Sequence, residues 1–159
     1  MRGISGLFLV ASIAACAEPA CPVVAFEDPQ KPNLLVVIID DAGVDQYAPW
    51  GAAEEPVLAP TMDCLCDAGL RFETVWASPF CSPARAALLT GLHPRRDGIG
   101  RFINQDTSTW ELPLTRRTMA EALAEEGYAT AFYGKWHLAA KQSPAGPRHP
   151  NIQGFERFA

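Results

Sequence analysis

Residues Leu34 to Ile39 read Leu-Leu-Val-Val-Ile-Ile and stop abruptly at Asp40-Asp41. An unbroken apolar run of strand length, rich in β-branched residues, suits a strand buried on both faces, as in parallel sheets covered by helices. The segments that follow fit the same plan. Thr61 to Ala68 predicts a short helix, with Thr61 as N-cap and Gly69 at its stop. Arg71 to Trp76 predicts a second strand. Pro83 to Thr90, with a proline in its first turn and Gly91 just past its end, predicts a second helix. Thr118 to Glu126, closed by Gly127, predicts a third helix and leads into Tyr128 to Tyr133, a third strand. This alternation makes the fold class α/β, with a mostly parallel sheet flanked by helices.

In such sheets ligands bind beyond the carboxyl ends of the strands. The unusual polar residues fall there: Asp40-Asp41 after the first strand, Cys81 to Arg85 after the second, Lys135 and His137 after the third. Taken singly, most are weak signals. An Asp pair at a strand end is commonly a helix cap or a solvated turn, and a Lys and a His two apart on a loop are commonly surface residues. Cys81-Ser82-Pro83-Ala84-Arg85 is more specific, because a cysteine at a helix N-terminus faces free N–H groups and the positive end of the helix dipole, a setting that binds anions and activates thiols. His93 and His149 sit in proline-flanked loops and take no role. Arg95, Arg96 and Arg101 read as solvated or paired surface charge.

Composition narrows the classes further. At 48% hydrophobic and 19% charged the chain is globular in composition. With 13 Lys+Arg against 18 Asp+Glu it lacks the basic excess of a general nucleic-acid binder. No apolar run reaches the roughly 20 residues that cross a bilayer. Arg2 followed by the apolar stretch to Ala15 has the pattern of a secretory signal peptide over residues 1–15. Ile13-Ala14-Ala15-Cys16 resembles the lipobox of bacterial lipoproteins, so Cys16 is the expected lipidation site. The localisation expected is export, to the periplasm or as a membrane-anchored lipoprotein of a bacterium. The proline-bearing stretch 16–32 then reads as a flexible tether. Of the remaining cysteines, Cys64 and Cys66 point to different helix faces and should not bridge one another. Buried or unpaired thiols are the expectation for this pair, and the pairing of Cys21 stays open.

From Lys31 to Ala159 the chain resembles the type I sulfatases of the alkaline-phosphatase-like superfamily. The matches keep the family's order: Pro32-Asn33-Leu34, Asp40-Asp41-x-Gly43, Ala59-Pro60-Thr61-Met62-Asp63, the Cys-x-Pro-x-Arg signature at 81–85, Leu88-Leu89-Thr90-Gly91, and Gly134-Lys135-Trp136-His137-Leu138. Ala84 stands where many members have Ser. The resemblance implies that a dedicated maturation enzyme oxidises Cys81 to formylglycine, whose hydrate attacks the sulfur of a sulfate ester with one hydroxyl and expels sulfate with the other. It implies a divalent cation, calcium by the hardness of the donors, at Asp40, Asp41 and residue 81. Arg85 would steady the hydrate and the metal ligands, Lys135 would bind sulfate oxygens, and His137 would take the proton that permits elimination.

On this resemblance, residues 33–159 are expected to be the N-terminal part of a catalytic domain, a partial and truncated version of the fold with weak or no activity of its own. Two carboxylates undersupply calcium's usual six to eight oxygens. The partner substrate is an aryl or carbohydrate sulfate ester. The alternatives are a phosphonate or phosphate monoester hydrolase of the same superfamily, and a non-catalytic exported lipoprotein that binds sulfated ligands.

Overall fold

The computed structural model of the chain describes residues 32–50 and 54–159. The expected signal peptide, Cys16, Cys21 and all of the tether but Pro32 lie outside the described residues. The chain divides into two compact units, Met1–Glu73 and Thr74–Ala159.

In the first unit, helix α1 spans Pro60–Ala68. It begins one residue before the expected N-cap: Pro60, with no N–H to leave unsatisfied, takes the first helical position, and Thr61 lies inside. Gly69 ends it, donating its N–H to the Leu65 carbonyl at 2.9 Å. Two 3-10 turns, Val44–Gln46 and Ala48–Trp50, precede the helix. Arg71 donates to the Pro49 carbonyl at 2.7 Å and pairs with Glu73.

The strands expected over 34–39 and 71–76 are not formed. An apolar run becomes a central strand only when neighbours pair its edges and cover its faces. None among the described residues does so, and Leu35 is 88% and Trp76 92% exposed. The expectation for the cysteine pair also needs correction. Cys64 is disulfide-bonded, Cys66 is a free thiol, and both are half-buried. Their different helix faces allow one to bridge while its neighbour does not.

The second unit carries the core. Helix α2, Cys81–Thr90, starts two residues earlier than expected and stops where Gly91 takes a left-handed φ of 67°. The short α3, Pro94–Asp97, is capped by the ring nitrogen Nδ1 of His93, which accepts from the Arg95 amide. Helix α4, Met119–Glu125, opens with a capping box: Thr118 Oγ1 accepts from the Glu121 amide and Glu121 Oε2 from the Thr118 amide. It closes with Gly127 at φ 77°, where the amides of Gly127 and Tyr128 donate to the carbonyls of Ala124 and Leu123. That pair of bonds is a Schellman motif.

Strand β1 occupies Ala131–Phe132, inside the expected third strand. It pairs in parallel with β2, Arg157–Phe158, a partner that sequence reading did not anticipate. Helix α5, His149–Ile152, lies between them in sequence. The parallel pair agrees with the expected sheet type.

Ile103, Leu112 and Leu138 are among the fully buried side chains, and Trp136 lies against the rings of Phe132 and Phe155, edge to face at 5.2 and 5.8 Å between centroids. Such pairs are worth about 0.5–1.5 kcal/mol each beyond area burial. His149 is no loop residue: it is fully buried at the start of α5. Its Nδ1 accepts from Trp136 Nε1 at 3.1 Å and its Nε2 donates to the Leu112 carbonyl at 2.8 Å, which fixes a neutral ring. No helix among the described residues is long and apolar enough to cross a membrane.

Gly154 joins these parts. Its φ is 95°, and a Cβ there would lie 2.6 Å from the Glu121 amide nitrogen in the first turn of α4. Gly154→Ala should therefore destabilise the second unit by at least about 2 kcal/mol in urea unfolding, from left-handed strain plus a backbone clash. Burial holds the His149 imidazole below its usual value, outweighing the Leu112 carbonyl and the Glu111 charge, which act upward. A folded-state value below the unfolded one means that this stability is present above about pH 6.5 and lost as pH falls below it. The urea midpoint should decline in that acidic range, and His149→Gln, which keeps a donor and an acceptor but cannot titrate, should flatten the decline.

Candidate active site

Cys81 is the first residue of α2, half-buried. Pro83 sits in the first turn, where its missing N–H leaves no intrahelical bond unmade. The other half of the site follows β1. Gly134, with a φ of 98°, turns the chain out of the strand, and the next residues divide: Lys135 is exposed while Trp136 and His137 are buried. Trp136 anchors this loop in the aromatic core, so Lys135 is presented from a fixed base.

Lys135 Nζ lies 3.3 Å from Cys81 Sγ, in hydrogen-bonding position. Arg85 is only 7% exposed and donates from Nη1 to the Lys135 carbonyl oxygen. An ammonium and the positive end of a ten-residue helix therefore meet at position 81, and the Arg85 guanidinium holds the backbone of the lysine that supplies the ammonium. In a chain of net charge −5 this is a local reversal of sign, suited to stabilising a bound anion.

His137 is 6% exposed and has a φ of 60°, an uncommon backbone state for a non-glycine residue. Its Nε2 stands 2.9 Å from the Ile103 carbonyl oxygen. A carbonyl can only accept, so Nε2 carries a proton, which in the neutral ring leaves the lone pair at Nδ1. Phe102 meets the imidazole edge to face at 4.7 Å. The amide of Ile103 donates in turn to Ser82 Oγ at 3.1 Å, and both Ser82 and Ile103 are fully buried. Sequence reasoning passed over these two residues. Ser82 lay at one of the two unspecified positions of the Cys-x-Pro-x-Arg signature, and Ile103 acts through its backbone, which leaves no mark in a side-chain pattern.

A cavity of about 340 Å³ opens beside the loop, walled by Lys135, Trp136, His137, Pro147, Pro150 and Phe158 among others. Arg95, Arg96 and Arg101 are exposed, as expected of surface charge, and Arg101 stacks over the Trp110 ring at 3.7 Å.

Asp40 and Asp41 belong to the first unit. Asp40 is half-buried, Asp41 exposed, and Asp41 has a φ of 57°. Among the described residues the non-glycine positions with positive φ are Asp41 and His137, both singled out from sequence. Backbone strain of this kind is stored preferentially at functional sites. Adjacent carboxylates from one turn form a hard-oxygen donor set, and that chemistry fits a divalent cation such as calcium.

The family model described as Sulfatase matches residues 32–159. Arylsulfatase A of Bos taurus is 39% identical over 128 residues, covering 80% of this chain and 24% of that protein. Steryl-sulfatase of Mus musculus is 35% identical over 159 residues, covering 94% of this chain and 25% of that protein. The crystal structure of Ps i-CgsB is similar at a TM-score of 0.45 and 35% identity, over 50% of this chain and 17% of that one. The chain thus spans about a quarter of the length of the curated relatives it matches. With the family's domain matched from Pro32 to Ala159, this α/β chain belongs to the sulfatase family.

Proposed function

We propose that the protein hydrolyses sulfate esters and releases inorganic sulfate, with Cys81 as the precursor of the reacting group. The observation that carries this reading is the Lys135 ammonium 3.3 Å from Cys81 Sγ at the start of α2. A cation at that distance from the reacting atom can hold an oxyanion there throughout a reaction. Family membership supports sulfate as that oxyanion.

Formylglycine at position 81, made by a maturation enzyme of the formylglycine-generating kind, supplies a hydrated aldehyde whose two hydroxyls allow sulfate to be taken up and then let go. Lys135 binds the sulfate oxygens. Arg85, held in place by the Lys135 carbonyl, steadies the hydrate at residue 81. His137, protonated at Nε2 and carrying its lone pair at Nδ1, accepts the proton whose removal lets the aldehyde re-form. Asp40 and Asp41 supply carboxylate oxygens for a divalent cation, calcium by donor chemistry, with residue 81 as a further ligand. That cation, when bound, draws charge from sulfate oxygens. The substrate is an aryl or carbohydrate sulfate, met outside the cytoplasm by an exported protein anchored through Cys16.

In cells that carry the maturation enzyme, peptide mass spectrometry should find residue 81 lacking its sulfur and two hydrogens and bearing one new oxygen; an unmodified thiol there would count against catalysis. Sulfate release from 4-nitrophenyl sulfate by the full gene product should fall to background in Cys81→Ala. It should fall about 100-fold or more in Lys135→Ala, the scale of losing one preorganised partner of a developing charge. Faster release from 4-nitrophenyl phosphate would move the assignment to phosphorus esters. Metabolic labelling with palmitate should mark the protein and be abolished by Cys16→Ser.

A further inference from the structure

We propose that Ser82 and the backbone of Ile103 form a positioning device that sets the tautomer of His137. The proposal rests on the sulfate-ester reading and adds to it a residue with no role there. Three observations carry it. Ser82 Oγ accepts from the Ile103 amide at 3.1 Å, the Ile103 carbonyl accepts from His137 Nε2 at 2.9 Å, and Ser82 and Ile103 are both fully buried.

A neutral imidazole left to itself exchanges its proton between two nitrogens, and only one form presents the lone pair to a given substrate. The Ile103 carbonyl breaks that symmetry. The Ile103 side chain is packed in the core, and its peptide is oriented by Ser82, whose hydroxyl accepts from the Ile103 amide from inside the first turn of α2. One residue, bonded through both its N–H and its C=O, therefore registers the neighbour of Cys81 against His137. Phe102 packs edge-on against the same imidazole. The φ of 60° at His137 is a conformation that needs surrounding contacts to persist, and these provide them.

The test is ¹⁵N-histidine NMR on the full chain, well above the imidazole titration range. His137 should give the pattern of a single Nε2-protonated ring. Ser82→Ala should give a mixture of tautomers at His137, and Ser82→Thr, which restores a hydroxyl, should return the single form. A His137 pattern unchanged in Ser82→Ala overturns the proposal. If that variant does not fold, Ser82→Cys, a weaker acceptor of similar size, is scored in its place by the same criterion.

In the sulfate-releasing protein, activity is expressed per molecule converted at residue 81, since Ser82 lies within the signature. There Ser82→Ala should lower kcat about tenfold at constant KM, the scale of one lost hydrogen bond, with recovery in Ser82→Thr. The positioning device and the sulfate-ester activity fail separately. A tautomer shift in a protein that releases no sulfate upholds the device and rejects the sulfate-ester reading. Normal release with an unchanged tautomer does the reverse.

Discussion

The guanidinium of Arg85, buried on α2, donates to the backbone carbonyl of Lys135 and so fastens the helix that begins at Cys81 to the loop that follows β1. A charge taken out of water must find partners, and a carbonyl oxygen is among the few that a folded interior can offer. The consequence reaches the surface. Because the backbone of Lys135 is held, its ammonium can rest 3.3 Å from Cys81 Sγ without depending on a flexible loop.

Beneath this contact the aromatic core does a second job. Trp136 lies between Lys135 and His137 in sequence and points inward, against Phe132, Phe155 and His149. Burying it fixes the residues on either side. The neutral, doubly bonded His149 is part of that floor, so a residue remote from position 81 sets the level of the loop that serves it. Stability and site geometry are then coupled through packing, the route by which close-packed interiors transmit displacement.

Gly154 shows how tightly the second unit is closed. The Thr118 hydroxyl donates to the Gln153 carbonyl and Thr130 to the Gly154 carbonyl, so the start of α4 and the approach to β1 both bond to one turn. That turn leads directly into β2. A single methyl group at Gly154 would separate elements that the hydrogen bonds draw together.

Much of this was legible in local pattern. Pro83 marks the first turn of α2 and Gly91 its end, and Gly127 closes α4, because proline and glycine bias the backbone locally. The Cys-x-Pro-x-Arg signature and Gly134-Lys135-Trp136-His137 marked the chemistry by residue type alone. Strands were less readable. Leu34 to Ile39 has the composition of a buried strand yet makes no ladder, while Arg157–Phe158, too short to show a period, pairs with β1. A strand is defined by its neighbour, and sequence does not say who the neighbour is. The same reason hid Ser82 and Ile103, since the Ser82 hydroxyl reaches His137 only by way of the Ile103 amide and carbonyl, backbone groups that every residue possesses. The sequence by itself determined which side chains are available for chemistry and where its glycines stop α1, α2 and α4, since those depend on residues close along the chain. Only the tertiary structure decided that Lys135 reaches Cys81, that His149 is floor and not loop, and which nitrogen of His137 holds the proton, because each depends on atoms brought together from distant positions.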